Sequence, residues 1–347
     1  MMTPYEALQQ GVVIPASPLA LNAARHLDAQ RQRALWRYYA AAGAGGVAIG
    51  VHTTQFAIRN VGLYRPLLEL AAEEFSRLDQ ARETPLLRVA GICGQTQQAV
   101  NEAECAVECG FHVGLLSLAA FNEASQETML DHCRQVAQVM PIMGFYLQTA
   151  VGGRILPYSF WRAFVEIEQV VAIKAAPFNR YHTLEVVRAV ADGGRDDIAL
   201  YTGNDDAIVA DLITPFTFQT PQGAVTRYFV GGLLGHWSVW TRTAVVLHEQ
   251  CRQAVLSGIV PAALLTRAVE VTDCNAAFFD AANGFKGCIA GLHEILRRQG
   301  LFEGTWCLDP NETLGPGQVK AIDRAYRNYP HLNDDDFVSR HLDEWIT

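Results

Sequence analysis

The sequence predicts an α/β protein that folds as a closed (β/α)8 TIM barrel with additional C-terminal helices. Eight short apolar runs alternate with stretches of helical length, at a spacing of about 30 residues. Strands that alternate with helices pair in parallel, and most of these runs are apolar along nearly their whole length, as strands covered on both faces are. No G-x-G-x-x-G motif follows the first run, which disfavours an open dinucleotide-binding sheet.

The predicted strands are short, apolar and rich in β-branched residues. They are Val12–Ala16, Gly46–Val51, Leu86–Ile92, His112–Leu118, Pro141–Leu147, Val170–Ala175, Ile198–Thr202 and Arg227–Val230. The helices between them follow from the helical period of their apolar positions. They are Asp28–Ala42, Leu67–Gln80, Gln95–Cys109, Ser125–Met140, Tyr158–Glu168, Thr183–Asp192 and Asp205–Ile213. In the first of these, Asp28 suits the N-cap and Gly43 suits the end of the helix.

After the eighth strand the sequence predicts helices only. They are His236–Leu256, Pro261–Ala282, Phe285–Gln299 and Gly317–Tyr329. We therefore expect residues 1–235 to form the barrel, and residues 236–347 to form a barrel-closing helix and a helical region packed on it. The acidic segment HLNDDDF, residues 331–337, is expected to be solvated surface.

Composition excludes several classes of protein. The 36 acidic and 27 basic residues give a net charge of -9, whereas a nucleic-acid binder normally has a basic surplus. The apolar runs are too interrupted for a membrane span, and no basic and apolar leader begins the sequence. The eight cysteines form no C-x-x-C pair, and the ten histidines form no H-E-x-x-H motif. We expect a cytoplasmic enzyme with reduced thiols and without a metal or cofactor.

Lys174 is the strongest candidate for a catalytic residue. The chain has only three lysines, and Lys174 alone lies in an apolar run, VVAIKAAPF, at the end of the sixth predicted strand. Active sites of such barrels lie at the carboxyl ends of the strands. An apolar surround disfavours the ammonium form, and a neutral amine can attack a carbonyl carbon. The alternative is a lysine that reaches solvent or pairs with a carboxylate. Lys286 is expected to be structural or to lie at an interface, and Lys320 is expected to lie on the surface.

Tyr146 is the candidate for proton transfer. It lies one strand earlier, in PIMGFYLQT, where adjacent strands could bring its phenol close to Lys174. Phe145 points to the opposite face of the same strand, so the register decides which ring enters the barrel. The alternative is a core tyrosine with a satisfied hydroxyl group.

The turn after the second strand is a candidate carboxylate site. In GVHTTQF, the hydroxyls of Thr53 and Thr54 and the backbone N–H groups could hold a carboxylate. His52 could carry a proton. An ordinary turn with a packed histidine is the alternative.

The turns after the seventh and eighth strands give a competing site. Gly203 and Asn204 in YTGNDD, with Gly231 and Gly232, lie where such barrels often bind phosphate. Asp205 in the same turn is expected to cap the following helix rather than to bind a metal.

Four segments resemble the dihydrodipicolinate synthase and N-acetylneuraminate lyase superfamily of class I aldolases. They are LDAQRQRALWRYYAAAGAGGVAIGVHTTQFA, VVAIKAAPF, YTGNDD and NAAFFDAANGFKGCIAGL. The resemblance extends from about Gly11 to Leu301. It implies a barrel that acts on pyruvate or a related 2-oxo acid and that assembles as a homo-oligomer, either a dimer or a tetramer.

The resemblance also implies roles for single residues. Lys174 matches the imine-forming lysine, and Thr53 matches a threonine that contacts the substrate carboxylate. His52 and Gln55 stand where the family has a threonine and a glutamate, so the proton relay is altered. Tyr146 matches the family's tyrosine only with a shift of one residue. Ala150 stands where the synthases have an arginine for the carboxylate of the aldehyde substrate, which argues against lysine biosynthesis.

The sequence therefore predicts a Schiff-base-forming lyase or aldolase, or a dehydratase, that acts on a 2-oxo acid and possibly an aldehyde. Lys174 and Tyr146 are the predicted catalytic residues. The predicted substrate-binding residues are His52, Thr53, Thr54, Gly203, Asn204 and Gly232. The alternatives are a phosphate-binding barrel enzyme and a non-catalytic regulator that binds a 2-oxo acid.

Overall fold

The structure is a computed structural model that describes residues 2–221 and 223–347. The strands of this part of the chain are β1 (Val13–Pro15), β2 (Gly46–Ile49), β3 (Leu87–Ile92), β4 (Val113–Leu116), β5 (Ile142–Leu147), β6 (Val170–Ala176), β7 (Ala199–Thr202), β8 (Phe216–Thr220), β9 (Gly223–Arg227) and β10 (Phe229–Leu234). Eight of them pair in parallel in the order β1-β10-β7-β6-β5-β4-β3-β2. A parallel bridge between Ala16 and Ala48 joins the two outer strands. The predicted (β/α)8 fold is confirmed.

Helices surround the barrel and continue after it. They are α1 (Pro4–Gln10), α2 (Ala29–Ala42), α3 (Tyr64–Asp79), α4 (Thr96–Glu108), α5 (Gln126–Ala137), α6 (Tyr158–Phe164), α7 (Arg180–Gly193), α8 (Ile208–Ile213), α9 (Thr241–Ser257), α10 (Ala262–Phe278), α11 (Cys288–Arg298), α12 (Gln318–Asn328) and α13 (Asp335–Ile346). Asp28 caps α2 by accepting a hydrogen bond from Arg31 N, and Gly43 ends it with a φ of 96°. Within the described ranges, no helix is both long enough and apolar enough to cross a bilayer.

The end of the barrel differs from the prediction. The last barrel strand is β10, which begins two residues after the start of the predicted run and ends four residues beyond it, because the antiparallel hairpin β8–β9 comes before it. Exposed and less exposed residues alternate in the hairpin, and Thr217 and Thr226 hydrogen bond to each other across it at 2.9 Å. The hairpin therefore lies outside the barrel and moves the eighth strand along the chain.

The expectation of a solvated acidic tail is wrong for Asp334, which is buried. Its Oδ2 accepts hydrogen bonds from the Tyr38 hydroxyl at 2.7 Å and from Arg242 N at 2.8 Å. Its Oδ1 accepts one from Gln299 Nε2 at 2.8 Å. Burial raises the pKa of this carboxyl to about 6. The acidic segment thus joins α13 to α2, α9 and α11, a role that only tertiary contacts reveal.

Strand β6 separates the barrel interior from the layer between strands and helices. Ala172 and Ala176 belong to the interior cluster, whereas Ile173 and Ala175 belong to the outer one. Lys174 shares the interior face because side chains alternate along a strand. A register shift near the start of β6 places Val170 in the outer cluster, although it is four residues from Lys174 and regular alternation would put both on one face.

Candidate active site

A cavity opens at the carboxyl ends of the barrel strands. It has an empty volume of about 560 Å³, including the part open to solvent. The lining comes from the turn after β2, from β5 and β6, from the turn after β7, and from the segment that follows α10. The candidate site is therefore at the end of the barrel where enzymes of this fold place their chemistry.

Lys174 lies in this cavity and is only 8% exposed. Within the described residues its ammonium group has neither a hydrogen bond nor a salt bridge, and Nζ lies 4.4 Å from the centre of the Phe145 ring. Gly203 provides the space for the alkyl chain, since a Cβ there would lie 2.5 Å from Lys174 Cε. Desolvation lowers the pKa of the amine below its ordinary value. Lys286 and Lys320 are both exposed.

Asp205 shares the cavity with Lys174, which sequence reasoning missed. It does not cap α8 as predicted: its Oδ1 accepts a hydrogen bond from His236 N at 2.9 Å, and Ala207 occupies the N-cap position. Desolvation raises the pKa of Asp205, and the positive charge of Lys174 opposes that effect. The two groups form no salt bridge within 4 Å in the part of the chain that the structure describes. The sequence signal was its position in the turn after β7.

The turn after β2 brings two of its three candidate residues into the cavity. His52 and Thr53 line it, and Thr53 Oγ1 donates to the Ala16 carbonyl at 2.6 Å. Desolvation and the nearby Lys174 charge lower the pKa of His52 to about 4, so its imidazole is neutral near pH 7. The Thr54 hydroxyl is occupied elsewhere, because it donates to Ser17 O at 2.7 Å and accepts from Gly50 N. Thr54 therefore stabilises the turn and does not line the cavity.

The register, which the sequence left open, places Phe145 and not the candidate Tyr146 at the barrel interior. Phe145 pairs with Lys174 across β5 and β6 and lines the cavity, so Tyr146 must point to the opposite face. There its ring packs on Trp161, and its hydroxyl accepts a hydrogen bond from Leu156 N at 3.1 Å. Tyr146 is a buried residue of the layer between strands and helices.

The structure also separates the three candidate residues of the later turns. Gly203 lines the cavity, but Asn204 does not. Its amide is held by Phe178 N, by the Thr183 hydroxyl at 3.1 Å and by Asp211 at 2.9 Å. Asn204 thus fixes the turn, and it lies outside the lining of the cavity.

Gly232 is likewise outside the cavity, within the sheet between β1 and β7. A Cβ at Gly232 would lie 2.8 Å from the Trp237 ring, and one at Gly231 would lie 2.5 Å from the Val12 carbonyl oxygen. Both glycines serve close packing. Such packing leaves no room at them for the phosphate of the alternative hypothesis.

Three phenylalanines form a wall of the cavity that sequence reasoning missed. They are Phe178, Phe279 and Phe285. Phe178 and Phe285 have φ values of 51° and 66°, in the left-handed region that non-glycine residues rarely adopt. Their rings meet edge to face with centres 5.9 Å apart. Nothing in the sequence pattern indicates these backbone conformations. No group of three or more His, Cys, Asp or Glu side chains suited to a metal ion occurs in the described ranges.

Comparison with known proteins identifies the family. Residues 9–216 match the model of the dihydrodipicolinate synthetase family. Two 4-hydroxy-tetrahydrodipicolinate synthases are similar. The protein from Thiobacillus denitrificans is 24% identical over 206 residues, which cover 59% of this chain and 65% of that protein. The protein from Cyanothece sp. is 27% identical over 121 residues, which cover 34% and 39%. The matched segments thus span less than two thirds of these relatives.

Solved structures share the fold over nearly the whole chain. N-acetylneuraminate lyase from Fusobacterium nucleatum has a TM-score of 0.70 at 13% identity, covering 92% of this chain and 99% of that one. A prophage protein of the dihydrodipicolinic acid synthase family from E. coli K12, solved with pyruvate, has a TM-score of 0.72 at 15% identity, covering 92% and 97%. The family match covers more than half of the sequence and agrees with the observed barrel, so this chain belongs to the dihydrodipicolinate synthetase family.

Proposed function

We propose that the protein is a carbon–carbon or carbon–oxygen lyase that forms a Schiff base between Lys174 and pyruvate or a related 2-oxo acid. One observation carries the proposal: among the three lysines, only Lys174 is buried, and it lies in the cavity at the carboxyl end of β6 without a hydrogen-bond partner among the described residues. Desolvation favours the neutral amine, which is the form that attacks a ketone. The family match supports the same class of activity.

The turn after β2 is the proposed site for the substrate carboxylate. His52 and Thr53 begin a 3-10 turn, and the first N–H groups of such a turn have no partner within it. Because Thr53 Oγ1 donates to Ala16 O, the backbone N–H groups are the main donors that remain for an anion. These N–H groups belong to residues that line the same cavity as Lys174, and they are uncharged, so they do not favour or disfavour the ammonium form of the lysine.

Lys174 then supplies the chemistry. Its amine adds to the 2-oxo carbon, and loss of water from the carbinolamine gives an iminium ion. Removal of a C3 proton from the iminium gives an enamine, which can expel a hydroxyl from C4 as water. Alternatively, the iminium accepts the electron pair of a breaking C3–C4 bond, which releases an aldehyde and leaves an enamine. Protonation of the resulting enamine and hydrolysis by water return the free amine. A metal is not needed as the electron sink, because the iminium takes that role.

Asp205 is the proposed proton carrier. The Tyr146 phenol lies outside the barrel, and the neighbouring position in the cavity is Phe145, which has no hydroxyl. Burial raises the pKa of Asp205 toward neutral pH, and a group that titrates there both donates and accepts protons efficiently. His52 is the weaker candidate, because its lowered pKa makes it a poor base.

Borohydride reduction in the presence of pyruvate tests the proposal. We expect a covalent adduct whose mass maps to the peptide that contains Lys174, and its disappearance in Lys174→Ala together with loss of activity by three or more orders of magnitude. Lys286→Ala is the matched control, because Lys286 is exposed and does not line the cavity. Binding of pyruvate without any adduct would favour the non-catalytic regulator.

A homo-oligomer, either a dimer or a tetramer, is part of the same proposal. Four aliphatic side chains on or near α9 and α10 are more than half exposed, which is typical of a surface that another subunit covers. They are Leu256, Ile259, Leu265 and Val269. Sedimentation equilibrium measures the subunit number.

A further inference from the structure

A second cavity adjoins the one that holds Lys174. It has an empty volume of about 390 Å³ and shares Asp205 and the three phenylalanines with the first cavity. We call this space between Phe178, Phe279 and Phe285 the phenylalanine cleft. Because the two cavities have these walls in common, the cleft lies next to the space around Lys174 in which a 2-oxo group would bind.

The cleft offers no partner for an anion. Among the described residues that line either cavity, Lys174 is the one cationic side chain, whereas Asp205 and Asp206 are carboxyl groups. Arg154 follows the wall of the first cavity in sequence, but its guanidinium donates to the carbonyls of Phe121 and Ala124. A second carboxylate or a phosphate in the cleft would therefore be desolvated without a counter-charge, which is unfavourable.

The hydrogen-bond donors of two polar side chains in the cleft already have partners in the protein. Thr272 Oγ1 donates to the Asp206 carbonyl at 2.9 Å, and Asn275 Nδ2 donates to the Asp205 carbonyl at 2.6 Å. Both donors are thus directed at the backbone of the turn after β7. What remains for a ligand is mainly the surface of the aromatic rings.

Two of these phenylalanines have an unfavourable backbone conformation. A left-handed conformation is unfavourable for a non-glycine residue, and such strain is common at functional sites. Phe178 and Phe285 both adopt it, and Phe178 N is fixed by a 3.0 Å hydrogen bond to Asn204 Oδ1. The two half-buried rings are therefore preorganised at the border between the two cavities.

We propose that the phenylalanine cleft binds an uncharged aromatic ring on the aldehyde half of the substrate. Aromatic rings prefer edge-to-face and offset contacts, and Phe178 and Phe285 already meet at an interplanar angle of 81°. This inference rests on the function proposed above and names its substrate class. The substrate is a 2-oxo acid with a hydroxyl and an aryl group on C4.

The reaction on such a substrate balances without any further reagent. Lys174 forms the iminium with loss of one water, and a base removes the proton of the C4 hydroxyl. The C3–C4 bond breaks, its electrons form the enamine, and the aryl aldehyde leaves from the cleft. A proton adds to C3, and one water hydrolyses the iminium to pyruvate and the free amine. Asp205 borders both cavities and so is placed to exchange these protons.

The test measures condensation of pyruvate with benzaldehyde, glyceraldehyde or succinic semialdehyde, with the products followed by mass spectrometry. We expect kcat/KM for benzaldehyde to exceed the values for the other two by about ten- to a hundredfold, because only its ring gains from the apolar cleft. Preference for succinic semialdehyde, which carries a carboxylate, or for glyceraldehyde would overturn the inference.

A matched pair of variants locates the effect. Phe178→Leu removes the ring and keeps an apolar side chain, and we expect it to lower kcat/KM for benzaldehyde by about tenfold. Phe218→Leu makes the same change in the hairpin β8–β9, outside both cavities, and is the control. If kcat/KM for benzaldehyde were the same in Phe178→Leu and Phe218→Leu, the assignment of Phe178 to the binding of the ring would be wrong.

Calorimetric titration of benzyl alcohol into Lys174→Ala protein separates this inference from the function proposed above. We expect binding that Phe178→Leu weakens in the same background. If no borohydride adduct forms but benzyl alcohol binds, the Schiff-base function fails and the cleft stands. If the adduct forms but neither benzyl alcohol nor benzaldehyde is bound, only the cleft assignment fails.

Discussion

Tyr201 and Lys174 are paired across β7 and β6, yet their polar atoms meet opposite environments. The Tyr201 hydroxyl reaches the amino-terminal end of the barrel, where it donates to the Leu8 carbonyl at 2.9 Å and accepts from Val12 N at 3.2 Å. The Lys174 amine reaches the carboxyl-terminal end and has no hydrogen-bond partner among the described residues. One end of the barrel satisfies its polar groups, and the other leaves an amine available for a ligand.

The same contrast extends to the surrounding elements. At the amino-terminal end, α1 covers the barrel, Leu8 is fully buried, and Gln9 Nε2 donates to the Asp197 carbonyl at 2.6 Å. At the carboxyl-terminal end, Phe178 and Phe285 adopt left-handed backbone conformations around an open cavity. Backbone strain and unpaired polar groups lower stability, and proteins generally retain them where function requires them. The amino-terminal end should contribute to stability and the carboxyl-terminal end to activity.

The largest expected effect of a conservative change at the carboxyl-terminal end is that of Asp205→Asn. We expect kcat to fall by about two to four orders of magnitude, because the amide cannot exchange a proton. The carboxylate of Asp205 raises the pKa of Lys174, so its removal lowers that pKa further. The acidic limb of the pH profile for borohydride trapping should therefore move to lower pH, although turnover is lost.

Two measurements check this prediction. Trapping with pyruvate from about pH 6 to pH 10 gives the profile of imine formation, and steady-state assays give kcat. Asp131→Asn, an exposed carboxylate on α5, is the control for the change from acid to amide. Unchanged turnover in Asp205→Asn would return proton transfer to His52 or to water.

Leu8→Ala is the corresponding change at the amino-terminal end. It should lower the free energy of unfolding by about 2–5 kcal/mol, because it leaves a cavity in a fully buried site. The kcat of the folded variant should be close to that of the wild type, since α1 contributes nothing to the lining of the cavity. Urea unfolding and activity at low temperature measure the two quantities. Val107→Ala, at a position 47% exposed, should leave stability nearly unchanged. A parallel loss of kcat in Leu8→Ala would show that the two ends are coupled.

The sequence predicts most of the architecture because the governing signals are local. The apolar runs of β2 to β7 stand out within a residue or two of their observed bounds, and the lysine count singles out Lys174. The predicted position of the eighth strand differs from the observed one because the hairpin β8–β9 has the same β-rich composition as a barrel strand. Only pairing distinguishes the two, since β8 and β9 pair with each other and β10 pairs with β1 and β7.

The candidate site is harder to predict because it depends on the direction in which side chains point and on contacts between residues that are distant in sequence. Asp205 looked like a helix cap, but the donor it accepts from, His236 N, is 31 residues away. Phe279 and Phe285 follow α10, far from β6 in sequence, and reach the cavity only through tertiary packing. A difference of one residue in register also exchanges the two faces of a strand, so the sequence alone could not decide between Tyr146 and Phe145.

Tyr146→Phe tests that register with the smallest expected effect. If the phenol lies outside the barrel, kcat should stay within about twofold of the wild-type value, because no reacting atom lies near it. The free energy of unfolding should fall by about 1 kcal/mol, since Leu156 N loses its acceptor in a buried site. Steady-state assays and urea unfolding measure both values. A fall in kcat of two or more orders of magnitude would instead mean that the phenol reaches the substrate, and Asp205 would then lose the role assigned to it.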